Sequence, residues 1–188
     1  MLTRVCAPVL AAEGTGFIDL ILTKQERFVP VSAALVDLIS DPDTVSALFL
    51  AWEAAFRRWG ASVETLSIGL SDAIHMWLTS RRWIVQGDSL GLAAYLSFAV
   101  LFQDHFASYR RIVATGAIER KKDGFRIRGV GGVKDKIIGA RQGGGGGAQA
   151  IVVPFENALS IDAGCCVRDV WFAGPDLDFF RSYAAVKN

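Results

Sequence analysis

The apolar run from Leu90 to Phe102 constrains the fold more than any other feature of this chain. Its 13 residues fall well short of the ~20 apolar residues that a membrane-spanning helix needs. A helix that is apolar on every side is buried inside a protein and not placed at its surface. We therefore expect a buried core helix here.

The size of the chain limits the number of domains. Its 188 residues suffice for one good-sized core and are too few for two ordinary domains, so we expect a single domain over residues 1–188. The composition, 52% hydrophobic and 21% charged, is that of a globular protein. The surplus of apolar residues also indicates a partner protein or a homo-oligomer.

Charge and cysteine content exclude several functional classes. The net charge of +1 and the short, scattered basic runs argue against nucleic-acid binding and against an acidic membrane surface. The amino terminus does not resemble a signal peptide, which favours a cytoplasmic location. Cys6, Cys165 and Cys166 have neither metal-ligand spacing nor the even count of a disulfide framework. We expect no metal and no cofactor.

Helical and strand-like patterns mix along the chain and predict the α/β (α+β) class. The amino-terminal half predicts a hairpin over 16–34, a helix capped by Asp41 and closed by Gly60, and strands within 63–86. The second half predicts a helix from Ser89 to about Ser108, a hairpin over 112–130, the helix VKDKIIGARQ, the strands AQAIVVP and CCVRDVWFAG, and a last helix LDFFRSYAAV.

Ser89 lies in the segment QGDSLG, where a strand gives way to the apolar helix. The first turn of a helix has unpaired backbone N–H groups and a partial positive charge, and both stabilise a developing oxyanion. The flanking glycines allow a tight turn and the close approach of a substrate. We therefore expect Ser89 to be a nucleophile, with an oxyanion hole formed by the backbone of Gly87, Asp88 and Ser89.

A serine nucleophile needs a base, and the sequence favours Lys134 for that role. Lys134 opens a predicted helix, where the helix dipole disfavours positive charge, and it lies among apolar residues that disfavour the charged form. Both effects favour a neutral amine, as a general base requires. Lys136 lies about 200° further around the helix, so we expect it to be a surface lysine.

The order of these segments resembles the proteolytic domain of Lon-type serine proteases. The matching segments are GDSLG, an apolar helix, ATGAIE, a hairpin, RGVGGVKDKIIGARQGG and AIVVP. The resemblance covers about 14–185 and is strongest over 87–154. It implies a Lon-like fold related to ribosomal protein S5 domain 2-like folds, with Ser89 as nucleophile, Lys134 as general base, and Thr115 helping to hold the lysine.

Three features depart from that family. Asp88 stands where the family has an uncharged residue, and pairing with Lys134 would keep the lysine protonated. The segment LTSRRWIVQGDS before the serine is shorter than usual, and five glycines, 143–147, lengthen a later turn. No Walker A motif is present. We therefore expect an ATP-independent peptidase acting on a flexible or unfolded protein or peptide, or on one delivered by a regulatory partner.

Two other functions stay open. The chain would act as a binding or assembly module if the site does not cut peptides, as in the Lon-related domain of a DNA-repair protein. It would be a small-molecule kinase if QGDSLGLAA were a phosphate loop, since one kinase superfamily shares a related fold. Stabilisation by nucleotides would favour the kinase, and the presence of serine, lysine and threonine together favours the peptidase.

Overall fold

The computed structural model describes residues 3–11, 14–27, 29–39, 41–70, 86–106, 108–142, 150–161, 170–174, 177 and 180–182. The predictions for 71–85, for the five glycines and for the pair Cys165–Cys166 lie outside these residues.

Helices and strands are mixed along the described chain, which confirms the α+β class. The helices are α1 Ala33–Leu38, α2 Pro42–Trp59, α3 Ala61–Glu64, α4 Gly91–Phe102 and α5 Val133–Gln142. Short 3₁₀ turns span Asp88–Leu90, Asp104–Phe106 and Phe155–Ser160. The strands are β1 Arg4–Ala11, β2 Gly14–Lys24, β3 Leu66–Leu70, β4 Arg111–Ala114, β5 Ala117–Lys121, β6 Gly124–Arg128, β7 Ala150–Pro154, β8 Val170–Ala173 and β9 Phe180–Ser182.

Within the described residues, one sheet has seven strands in the order β3-β2-β1-β4-β7-β8-β9. Its centre is parallel, because β1, β4, β7 and β8 run in the same direction as their neighbours in that series. Antiparallel pairs complete both sides, with β2 and β3 at one side and β9 at the other. The strands β5 and β6 form a separate hairpin.

Two hydrophobic clusters lie on opposite faces of this sheet. In β4, Ile112 and Ala114 belong to one cluster and Val113 to the other, as expected from the alternation of side chains along a strand. The first cluster contains buried residues of α2 and α4, and the second contains those of α5. The helix α4 is buried from Gly91 to Ala99, which confirms a buried core helix over those residues. It ends at Phe102 and not near Ser108, and Leu101 and Phe102 are exposed.

The helix α2 also follows its sequence signals. Asp41 accepts a hydrogen bond from the Thr44 N–H as N-cap, Pro42 occupies the first turn, and Gly60 ends the helix with a positive φ of 57°. The large apolar side chains of α2 are not all buried, because Phe49 and Phe56 are exposed by 45% and 38%.

The predicted hairpin over 16–34 is wrong in its second strand. The strand β2 pairs instead with β1, from Val5 opposite Leu20 to Ala11 opposite Gly14. Among the described residues, a single bridge from Val31 to Ile68 represents the expected second strand. Pro30 has no N–H to donate to a ladder.

The predicted last helix is also wrong over residues 180–182. These residues form β9, in which Phe180 lies opposite Ala173 and Ser182 opposite Trp171. Pairing with the edge of β8 therefore overrides the helical spacing of the apolar residues.

Candidate active site

The turn that carries Ser89 leads into helix α4 and is hydrogen-bonded to the link before the separate hairpin. Ser89 is half-buried in the 3₁₀ turn Asp88–Leu90, directly before α4. Its carbonyl accepts a hydrogen bond from the Gly116 N–H at 3.0 Å, and the Gly116 carbonyl accepts one from the Leu92 N–H at 2.9 Å. These two bonds attach the turn to the link between β4 and β5.

Gly116 makes this close approach possible because it has no side chain. A Cβ at this position would lie 2.8 Å from Pro154 Cγ and 3.0 Å from Leu92 Cδ2, closer than carbon atoms normally approach. The residue before it, Thr115, is consequently held deep in the site, only 2% exposed, with its N–H donating to the Val152 carbonyl at 3.1 Å.

The lysine that meets Thr115 is Lys136. Its Nζ donates to Thr115 Oγ1 at 3.1 Å, and the residue is 6% exposed. Burial lowers the pKa of Lys136 below its ordinary value of 10.5, and the nearby carboxylate of Asp88 acts in the opposite direction without cancelling the effect. A buried amine with a lowered pKa is suited to act as a general base.

The expected positions of the two lysines are therefore exchanged. Lys134 is exposed, and the prediction that Lys136 is a surface lysine is wrong. The buried residues of α5 recur at helical spacing, as Val133, Lys136, Ile137 and Ala140. Since the three apolar members fix the inward face, the same periodicity places Lys136 on that face. This pattern could have identified the residue from sequence.

Asp88 is paired with an arginine. Its carboxylate accepts a hydrogen bond from the Arg128 guanidinium, which comes from the last position of β6. Arg128 also approaches Glu119 Oε2 at 3.8 Å. Sequence reasoning missed Arg128, because nothing in the sequence indicates that the end of the hairpin reaches the serine turn.

The backbone donors near Ser89 differ from the expected set. The Gly87 N–H donates to Asp41 Oδ2 at 2.8 Å, so it is already used and the prediction that it lines the oxyanion hole is wrong. The N–H groups of Asp88 and Ser89 begin the 3₁₀ turn, where no preceding turn supplies an acceptor. These two donors can stabilise an oxyanion.

Ser89 and Lys136 both contact the link between β4 and β5. The Ser89 carbonyl bonds Gly116 in that link, and the Lys136 amine bonds Thr115. Among the residues that the structure describes, Lys136 Nζ donates to Thr115 and forms no hydrogen bond with Ser89 Oγ. Catalytic hydrogen bonds without substrate are often long and shorten in the substrate complex. The Thr115–Gly116 link is thus hydrogen-bonded both to the Lys136 amine and to the backbone of the Ser89 turn.

The segment between β6 and α5 is held by side chains of the 3₁₀ turn after β7. Asn157 bonds both backbone groups of Val130, accepting from its N–H at 3.0 Å and donating to its carbonyl at 2.9 Å. Glu156 accepts from the Gly129 N–H at 2.7 Å. These bonds hold residues 129–130, which lead into the helix that carries Lys136, and sequence reasoning did not identify them.

Two other features are absent from the described part of the chain. No group of three or more His, Cys, Asp or Glu residues with metal-binding geometry occurs among the described residues. No described helix is long and apolar enough to cross a membrane.

Comparison with known proteins gives no family. No family model matches the chain. No curated protein matches it significantly either.

Proposed function

We propose that this chain is an ATP-independent serine–lysine peptidase with a Lon-like fold, in which Ser89 is the nucleophile and Lys136 the general base. The observation that carries the proposal is the buried Lys136 amine, held by the Thr115 hydroxyl on the link that is hydrogen-bonded to the Ser89 turn. The order of serine turn, apolar helix, threonine–glycine link, hairpin and lysine helix supports the Lon-like fold. Lys136 takes the role that the sequence alone suggested for Lys134.

The chemical steps follow from these positions. Ser89 Oγ attacks the peptide carbonyl carbon, and its proton passes to the neutral Lys136 Nζ. The negative charge that forms on the carbonyl oxygen is stabilised by the N–H groups of Asp88 and Ser89. As the C–N bond breaks, Lys136 returns the proton to the leaving amine. Water then attacks the acyl carbon and gives a proton to Lys136, and Lys136 passes that proton to Ser89 Oγ as the ester C–O bond breaks.

The ion pair between Arg128 and Asp88 supports this function. A free carboxylate at Asp88 would favour the protonated lysine, which cannot act as a base. Because the Arg128 guanidinium pairs with that carboxylate, its charge is partly compensated. The unusual acidic residue before the serine is therefore compatible with a neutral Lys136.

We propose that the substrate is a flexible or unfolded protein segment, cut in the cytoplasm and supplied directly, by a partner chain or within a homo-oligomer. A substrate that needs no unfolding tests the site most directly, because the 188 residues contain no Walker A motif. A disordered protein such as β-casein is the appropriate first substrate.

The test compares β-casein cleavage by the wild type and by the Ser89→Ala variant, with peptides identified by mass spectrometry. We expect cleavage by the wild type only. The proposal would be contradicted, and the binding module favoured, if both proteins cleaved β-casein equally or if neither cleaved it. Thermal stabilisation by nucleotides in the same preparation would instead support the kinase.

A further inference from the structure

Both polar groups of Gly87 are held by the first turn of α2, although 43 residues separate Gly87 from Thr44. The Gly87 N–H donates to Asp41 Oδ2 at 2.8 Å, and the Gly87 carbonyl lies 2.9 Å from Thr44 Oγ1. Gly87 has φ of 90°, a conformation that side-chain-bearing residues rarely adopt. The backbone directly before the serine turn is therefore held through both the N–H and the carbonyl of Gly87.

This arrangement is more than an ordinary helix cap. An N-cap requires only that Asp41 accept from the Thr44 N–H, and it does so at 2.9 Å. The same Oδ2 atom also receives the Gly87 N–H and lies 2.6 Å from Thr44 Oγ1. The Thr44 hydroxyl, with one proton to donate, lies within hydrogen-bond distance of both Asp41 Oδ2 and the Gly87 carbonyl, and Thr44 is completely buried.

The carbonyl of Gly87 and the N–H of Asp88 belong to one peptide group. In a planar trans peptide these two bonds point in opposite directions. Because the carbonyl points at Thr44, the Asp88 N–H points away from α2. A hydrogen bond to the carbonyl also polarises the peptide and strengthens its N–H as a donor.

We propose that Thr44, supported by Asp41, is a positioning residue that orients the Asp88 N–H as an oxyanion donor. This inference rests on the proposed peptidase function. It assigns to the first turn of α2 a part in the reaction that no sequence motif indicated. The residue acts through the Gly87–Asp88 peptide and does not touch the substrate.

The decisive comparison is between two replacements of Thr44. Thr44→Val removes the hydroxyl and keeps the branched shape, whereas Thr44→Ser keeps the hydroxyl. The matched control is Ser97→Ala, which also removes a buried hydroxyl. Among the described residues, that hydroxyl bonds only the Ala93 carbonyl of its own helix, at 3.0 Å. Thr44→Ala replaces Thr44→Val if the latter does not fold.

Each variant is assayed on β-casein at a temperature where circular dichroism shows it folded, with kcat and KM determined separately. A dipeptide boronate, whose serine adduct places an oxygen in the oxyanion hole, gives a second measurement. We expect Thr44→Val to lower kcat by about 10- to 100-fold, with KM changed by less than about threefold. In Thr44→Val, the inhibition constant of the boronate should rise by about the same factor as kcat falls. Thr44→Ser should recover most of the rate, and Ser97→Ala should match the wild type.

The failures are distinguishable. If the wild type cleaves β-casein in a Ser89-dependent manner and Thr44→Val matches Thr44→Ser in kcat and boronate affinity, the positioning role is refuted and the peptidase stands. The same holds if Ser97→Ala loses as much activity as Thr44→Val. If the wild type is no more active than Ser89→Ala, the peptidase function is refuted, and the positioning role with it.

Discussion

Replacing Lys136 with methionine removes the proposed base while keeping an unbranched side chain of similar length. The structure provides a matched control two positions earlier on the same helix, because Lys134 is exposed and Lys136 is 6% exposed. General base catalysis contributes about 10²- to 10⁴-fold to a rate. We expect Lys136→Met to lower kcat on β-casein by about 10²-fold or more. Lys134→Met should change kcat by less than about twofold.

The same replacement changes stability through two opposing effects. Thr115 is 2% exposed and would lose the partner of its hydroxyl, which costs about 1–3 kcal/mol for a buried polar group. Removing Lys136 also removes the cost of burying a charged group at low pH. The sign of the net change therefore depends on pH.

The pH dependence has a definite direction. The pKa of Lys136 is lowered in the folded protein from its ordinary value of 10.5, mainly by burial. Between these two pKa values the unfolded chain binds more protons than the folded one, so stability rises with pH in that window. Below it the full cost of burying the ammonium applies. Relative to Lys136→Met, the wild type should gain stability as pH rises through the window.

Urea unfolding at a series of pH values measures this difference, and β-casein cleavage measures the rate. Loss of activity in Lys134→Met together with full activity in Lys136→Met would refute the role of Lys136 as the base. A stability difference between Lys136→Met and the wild type that does not vary with pH would contradict the burial of a titrating amine.

Three further outcomes are expected. Asp88→Asn removes a carboxylate that raises the pKa of Lys136, so the rising limb of the pH profile of kcat/KM should move to lower pH. An unchanged limb would show that the Asp88 charge does not influence the base. Gly116→Ala would force a Cβ to within 2.8 Å of Pro154 Cγ and should destabilise the protein by about 1–3 kcal/mol in urea titrations, whereas an unchanged midpoint would show that the site relaxes freely. Burial raises the pKa of the Cys6 thiol to about 12, so iodoacetamide at pH 8 should modify it only after unfolding, as mass spectrometry of native and denatured samples can determine.

The parts of the fold that local sequence signals determine were predictable. The helix α2 begins at its Asp41 cap, and α5 spans the VKDKIIGARQ segment as expected. The strand β9 was not predictable, because its pairing with β8 depends on tertiary contact and not on local periodicity. Local patterns likewise do not indicate that β2 pairs with the upstream β1.

The candidate site divides in the same way. Ser89 could be placed from its own sequence, since it lies where an apolar helix begins, whereas Thr115 came only from the resemblance to Lon-type domains. The apolar residues of α5 indicate its inward face, which includes Lys136. The base was assigned to Lys134 instead because that residue opens the helix. The contacts of Asp41 and Thr44 with Gly87 could not be foreseen, because they join segments more than 40 positions apart in the chain.

For the proposed peptidase, the two hydrophobic clusters have a consequence for when activity can appear during folding. Ser89 precedes α4, which packs in the cluster on one face of the sheet, and Lys136 lies on α5, which packs on the other. A newly made chain with only one face assembled therefore has a serine without a base, or a base without a serine. Its activity would appear only on completion of both faces, which would protect unfolded copies of the protein from one another during synthesis.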